Sequence, residues 1–214
     1  MERTIITYDT HHGSARNVAK RISEHLNCEY LDIDTPFEVE DLSKFDNIII
    51  VFGFRGPYTA QLTKLYLSRA AKQFKGKNVF LVGEGLFSEN EFPVVAEEIH
   101  QQLDVQTFNI FFIKGQLRVD TLTREEKILL GEFSRITGMK IVDMGELNLE
   151  DADKVAIEIA KIIAENPVKE VIKDDENLPE WVCPTCGYVH KGETPPEVCP
   201  LCGVKKDKFY KKEK

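Results

Sequence analysis

Apolar positions over the first two thirds of the chain fall into two alternating kinds of run. Short, dense runs at Thr4–Tyr8, Glu29–Ile33, Asn47–Phe52, Asn78–Gly83 and Val105–Ile113 read as strands. Between and after them, apolar residues recur at helical spacing. Ala15, Val18, Ala19, Ile22 and Leu26 predict a half-buried helix, as do Leu62, Leu65, Tyr66, Ala70 and Phe74. Val95, Ala96, Ile99 and Leu103 form a third stripe. Leu129, Phe133 and Ile136 form a fourth, with Thr123 and Glu126 placed as its capping box. Ala152, Val155, Ala156, Ile159 and Ile163 form the last. The third to fifth strands, "IIIVF", "VFLVG" and "FNIFFI", are almost continuously apolar, the pattern of strands covered by helices on both faces. Alternation of strand and helix with short connections predicts a parallel α/β sheet with right-handed crossovers. Five strands suggest the order 2-1-3-4-5. Between the second and third there is room only for a short turn around Val39–Ser43.

The pattern breaks at "NPVKEVIKDDENLPE", residues 166–180, which is charged throughout and bounded by Pro167 and Pro179. It reads as a linker between a body, residues 1–165, and a small module, residues 181–214. Fully stretched, it reaches on the order of 50 Å. The chain of 214 residues carries a net charge of −8, which argues against general nucleic-acid binding. That charge is unevenly spread. From Trp181 onward seven Lys face four acidic residues, so a +3 module follows a remainder, residues 1–180, of −11. No apolar run approaches the roughly 18 residues of a membrane span. The N-terminus enters a strand with no signal-peptide pattern, so a cytoplasmic protein is expected.

Four of the five cysteines lie within twenty residues: Cys183, Cys186, Cys199 and Cys202, as two C-x2-C pairs each followed by Gly. In a chain expected to be cytoplasmic this spacing reads as a tetrahedral four-thiolate metal site rather than a disulfide framework. The spacing alone suits zinc or a single iron. "WVCPTCGYVHKGETPPEVCPLCGVKKDKFYK" closely resembles the rubredoxin domain at the end of rubrerythrins: Trp181 before the first cysteine, Gly187-Tyr188 after the second, Pro196, Cys199-Pro200 and Phe209 match. The resemblance implies one iron, with zinc possible by substitution. His190 reads as a loop-packing residue, since four thiolates already complete a shell. Cys28 reads as a free cysteine packed as a small hydrophobe.

The first strand runs into "TYDTHHGSARNVA", a tight turn that opens an amphipathic helix and so offers N–H groups to an anion. No Gly-Lys-Ser/Thr follows, so it is not an ATP-binding loop. The body, over about residues 3–165, resembles the flavodoxin superfamily, and within it the branch of the menaquinone-dependent protoporphyrinogen oxidases. The resemblance implies a flavodoxin-like five-stranded sheet joined to a small rubredoxin-like metal ribbon. It implies FMN held by three loops. In the first, Thr10 and Gly13 match the family's [ST]-x-T-G-x-T pattern, while His12 and Ala15 stand where threonines are usual. His11, Ser14 and Arg16 complete the loop. The second is "GFRGPYTAQ", with Phe54, Arg55, Gly56, Pro57 and Tyr58 bordering the flavin ring. The third is "GEGLFSE", with Gly83, Glu84, Gly85 and Leu86 at the pyrimidine edge, Glu84 expected to point outward. A fourth stretch, with Gln116, Leu117 and Arg118, is expected at the rim.

Together these readings imply an electron-transfer protein relaying electrons between FMN and an Fe(Cys)4 centre, the +3 ribbon docking on the acidic body near Arg55, Tyr58 and Leu86. The linker would raise the effective concentration of iron near flavin. Redox partner proteins are implied, a diiron peroxidase or oxidase, or a reductase. The chain itself lacks the carboxylate–histidine helical motifs of a diiron site. Two other readings stay open: an FMN-dependent oxidoreductase acting on a quinone, porphyrinogen or NAD(P)H, and a non-redox scaffold with a structural zinc ribbon.

Overall fold

Helix α1, Ser14–Leu26, begins at Gly13, whose left-handed backbone (φ 87°) turns the chain out of strand β1, Thr4–Asp9. It buries the face carrying Ala15, Val18, Ala19, Ile22 and Leu26 and ends at Asn27, also left-handed. The computed structural model describes residues 3–33, 41–54, 61–86, 89–168, 179–192 and 194–212. Of the turn expected around Val39–Ser43, Val39 and Glu40 lie outside them, and the chain turns at Ser43. Two compact units, Met1–Val168 and Lys169–Lys214, divide the chain.

In the first unit, β1, β2 (Glu29–Asp32), β3 (Asn47–Gly53), β4 (Asn78–Gly85) and β5 (Thr107–Lys114) form a parallel sheet of order 2-1-3-4-5. Because side chains alternate across a strand, the sheet carries two cores. Ile5, Ile48, Ile50, Phe52, Val79 and Leu81 meet α2 (Gln61–Ala70) and α3 (Phe92–His100) through Tyr66, Ala70, Phe92, Ala96 and Ile99. Ile6, Tyr8, Ile49, Val51, Phe80 and Val82 meet α1 and α5 (Leu149–Glu165) through Val18, Ile22, Val155 and Ile159. β3 and β4 are buried almost throughout, as their sequences predict. β5 is not: it is the sheet's edge, most of its residues are half-buried, and Ile110 is exposed. Its apolar run marked a strand correctly but overstated its cover.

Helix α4, Arg124–Thr137, forms where predicted and has its capping box: the Thr123 hydroxyl accepts from Glu126 N–H, and the Thr123 N–H donates to Glu126 Oε2 at 2.9 Å. Its apolar stripe is nevertheless exposed, Ile136 by 76%, and the helix buries no residue. Periodicity makes the helix without supplying a surface to cover its face.

At the other end of the sheet, Asn78 Nδ2 donates to Asn47 Oδ1 at 2.9 Å and to the Asn166 carbonyl at 2.8 Å. Asn47 and Asn78 begin β3 and β4, so the chain leaves α5 pinned beneath the N-terminal ends of the strands.

The second unit holds an antiparallel sheet, order β7-β6-β8, of Glu180–Val182 (β6), Val189–Lys191 (β7) and Tyr210–Lys211 (β8). Its core is Cys183, Cys199 and Phe209, with Trp181, Tyr188 and Val204 packed around them. Among the described residues no helix is long and apolar enough to cross a membrane.

Candidate functional site

The two C-x2-C pairs fold into matching knuckles. Gly187 N–H donates to the Cys183 carbonyl and Gly203 N–H to the Cys199 carbonyl, both at 2.9 Å. Gly187 (φ 74°) and Gly203 (φ 73°) both take the left-handed conformation, and that backbone, not crowding, is what demands glycine there. The four sulfurs lie within 4.8 Å of one another, with Cys183–Cys202 and Cys186–Cys199 each at 3.5 Å. Cys183 and Cys199 are buried; Cys186 and Cys202 are exposed.

The electrostatics of this cluster suit a cation. Burial alone would raise the Cys183 thiol, but the N–H groups of Cys186 and Thr185 outweigh it and bring it down to about 6. Cys199 is lowered in the same way, burial being outweighed by Cys202 and Leu201 N–H groups. Cys202 goes the other way. The Val204 N–H draws it down, but lost solvation and then the three neighbouring sulfurs push it up to about 12. Four thiolates this close cannot all ionise unaided, and a metal ion among them removes the conflict. The donor set therefore fits a tetrahedral thiophilic metal. His190 takes no part: it sits on β7, its ring over Gly192, where a Cβ would meet Nε2 at 2.8 Å. The Trp181 indole N–H donates to the Gly192 carbonyl at 2.9 Å, closing the ribbon.

In the first unit the loops after β1, β4 and β5 converge at the strands' C-terminal ends. The glycine before α1 gives no side-chain cap, so the first turn keeps donors for an anion. The Thr10 hydroxyl is at hand, accepting from Gly13 N–H at 3.0 Å. Arg16 turns back over the loop, its Nη2 3.3 Å from where a Gly13 Cβ would sit. An uncapped helix end, a hydroxyl and a guanidinium fit a phosphate group.

Other predicted residues are placed differently. Ala15 is fully buried in the core. His11 and His12 pair with Glu126 of α4. Phe54 packs its ring against Phe52, Phe92 and Phe112. Gly83 makes room for that cluster, since a Cβ there would stand 2.8 Å from Phe54 and 3.0 Å from Phe92. Gly85 carbonyl accepts from Gly115 N–H at 2.8 Å, and Leu86 lies against Gly145. Arg118 Nη1 donates to the Leu117 and Gly145 carbonyls. Arg55, Gly56, Pro57 and Tyr58 lie outside the described residues.

The profile of the family described as "Flavodoxin domain" matches residues 5–143. The chain belongs to that family. The flavodoxin domain is followed by a second match, residues 181–210, to the rubredoxin-like domain of rubrerythrin. The chain is 50% identical over 32 residues to reverse rubrerythrin-1 of Clostridium acetobutylicum, covering 15% of this chain and 18% of that protein. It is 48% identical over 42 residues to a rubrerythrin homologue of Methanocaldococcus jannaschii, covering 20% of each. The chain thus spans about a fifth of the length of the curated relatives it matches. Among solved structures, a Streptococcus pneumoniae flavodoxin is similar at 13% identity and TM-score 0.44, covering 74% of this chain and 98% of that one. Flavodoxin 2 of Bacillus cereus is similar at 16% identity and TM-score 0.44, covering 75% and 99%.

Within the flavodoxin domain Glu84 corrects the sequence reading. Expected to point outward, it is 5% exposed at the end of β4. Its Oε2 accepts from the Ser14 hydroxyl at 2.7 Å, and its carboxylate also accepts from the Gln116 N–H. The loop room for it comes from Gly115, where any Cβ would collide with the carboxylate. Ser14 is therefore spent on Glu84, and Glu84 laces the loops after β1, β4 and β5 together. Nothing local in "GEGLFSE" announces this, because the partners come from 70 and 32 residues away.

Burial raises the Glu84 carboxyl above its ordinary value, against the two hydrogen bonds, which pull it down. An acid that holds its proton more tightly when folded adds stability below its unfolded pKa of about 4.3 and loses it as pH rises through the folded value. At pH 7 the ionised group thus weakens the fold. Glu84→Gln keeps both bonds, its amide oxygen accepting from Gln116 and its NH2 donating to Ser14. We expect this variant to exceed the parent in stability at pH 7 and to match it near pH 4, read by urea unfolding at both. Glu84→Ala removes both hydrogen bonds and should cost about 1–3 kcal/mol.

Proposed function

We propose that this chain is an electron-transfer protein that holds FMN in its flavodoxin domain and one iron in its ribbon, and passes electrons between them. The observation that carries this reading is the pairing in one chain of a flavodoxin fold and a four-cysteine rubredoxin-like ribbon. Bound FMN would exchange one or two electrons, and a four-thiolate iron one. The remaining chemistry belongs to the protein. Backbone N–H groups at the start of α1, with Thr10 and Arg16, would hold the phosphate. Cys183, Cys186, Cys199 and Cys202 would hold the metal, N–H groups keeping the two buried sulfurs charged. The burial of Cys183 and Cys199 keeps water from half of that shell.

Reach supports the pairing. A chain of ten residues, the length of the stretch between Val168 and Pro179, has a maximum span of roughly 35 Å. The sheet, eight residues tall at β4, is roughly 26 Å from end to end. That contour length would allow the approach that the relay requires. The opposite charges of body and ribbon favour the same approach. Redox partner proteins would supply and remove the electrons.

The reading predicts two absorbing centres in natively prepared protein: one flavin and one ferric thiolate per chain. A preparation with zinc in the ribbon and no affinity for added FMN would overturn it in favour of a structural scaffold. Steady turnover with a quinone or NAD(P)H would instead assign an oxidoreductase. At the phosphate end, Thr10→Val with Arg16→Ala should weaken FMN binding at least about tenfold, because a hydrogen bond to a charged group contributes about 1.5–3 kcal/mol. Fluorescence titration of FMN reads the change, and the ribbon's metal content should not move.

A further inference from the structure

The phosphate reading uses neither loop histidine. His12 Nε2 stands 3.0 Å and His11 Nε2 3.5 Å from one oxygen, Glu126 Oε1. The three ligand atoms all lie within 4.8 Å of one another. The rings meet edge-on, centroids 4.6 Å apart at 81°, so two adjacent residues aim both Nε2 atoms at one point. The carboxylate is held from behind. Its other oxygen, Oε2, accepts from the Thr123 N–H at 2.9 Å, the capping-box bond that orders the first turn of α4. Ligands fixed by an outer hydrogen bond in this way are characteristic of metal sites.

We propose that His11, His12 and Glu126 form a second metal site, separate from the cysteines, for a divalent transition cation such as Zn2+. Two imidazoles and one carboxylate suit zinc and its neighbours rather than magnesium or calcium, which prefer all-oxygen shells. With metal–ligand bonds of about 2.0–2.2 Å, a tetrahedral site has ligand–ligand edges of about 3.3–3.5 Å. The 3.0 and 3.5 Å separations need little adjustment to meet them. Side-chain exposures of 40%, 29% and 15% leave the site open to solvent, so a water completes the shell and the metal exchanges. Three protein ligands with one open position is the zinc arrangement that binds a further group rather than a purely structural one. A dication on one carboxylate leaves +1 at the turn that opens α1. The cation also clasps this turn to α4, a helix that buries none of its own residues. This inference needs no flavin.

The test uses the full chain with one zinc already in the cysteine site and no flavin, titrated with further Zn2+ by calorimetry. One additional equivalent is expected. Glu126→Gln removes a ligand charge while keeping an oxygen for Thr123, so the helix cap survives. His11→Gln with His12→Gln removes both nitrogens. Each variant should lose at least about 100-fold in affinity for the second zinc, since an outer-shell partner alone is worth 10–100-fold. Circular dichroism checks that each stays folded. Failure of the parent to take up a second zinc overturns the proposal. So does a second equivalent bound equally well by both folded variants.

Discussion

Replacing Cys183 with serine is expected to abolish metal binding and unfold the ribbon, while the flavodoxin domain stays folded. The ribbon has little else to hold it. Its strands are three, three and two residues long, and two of its three buried core residues, Cys183 and Cys199, are themselves ligands. Below about 40 residues a domain needs a metal, disulfides or a partner to fold. Structural zinc supplies an apparent 10–16 kcal/mol to such folds at neutral pH. Against a fold this small, that term decides between folded and unfolded. Metal analysis should fall from one ion per chain to none at the cysteine site. Amide NMR should show residues 179–212 collapsing toward random-coil shifts, with the signals of the β1–β5 sheet unmoved. Retained metal, or a ribbon still dispersed without it, would show that the small core suffices.

In the proposed relay, cutting the tether between Val168 and Pro179 should slow electron passage between the two units about a thousandfold at micromolar protein. A short flexible link sets an effective concentration in the millimolar range, and separated pieces must meet at their real concentration. The rate should recover on mixing the pieces at millimolar concentration. Stopped-flow reduction of the chain, followed separately at flavin and iron wavelengths, reads it. Removing residues 171–176 asks the finer question. The four tether residues left extend to about 14 Å, less than the sheet's height. With both centres still loaded, transfer in this variant should fall well below that of the intact chain. An unchanged rate after cutting would mean that electrons leave each unit for an outside partner and never cross between them.

Much of this architecture is legible in the sequence because its signals are local. The α1 stripe, the apolar runs of β3 and β4 and the Thr123–Glu126 cap are all set by neighbours within a few residues. The cysteine knuckles are the clearest case, since ligand spacing and the glycine after each pair determine the turn. What escapes is tertiary. Glu84 meets Ser14 across 70 residues and Glu126 meets His12 across 114, and no periodicity encodes either meeting. Ile110 and Ile136 show the opposite failure. Their patterns correctly call for a strand and a helix, but whether a face is covered depends on what lies next to it. Phe54, read from the sequence as bordering the flavin ring, also packs against three other phenylalanines, two of them from distant segments, which no local pattern announces.

The cysteine cluster is lopsided, with two sulfurs enclosed and two open to water. Hydrogen bonding and solvent contact at the sulfurs help set the reduction potential of a thiolate-bound metal. Backbone N–H groups reach both pairs, and the enclosed pair, shut off from water, would fix one part of that potential in the fold. The open pair, Cys186 and Cys202, leaves the rest adjustable from outside. Any surface settling over them would strip water from the ligands of a bound metal, so in the proposed relay docking itself would alter the driving force for the electron it admits.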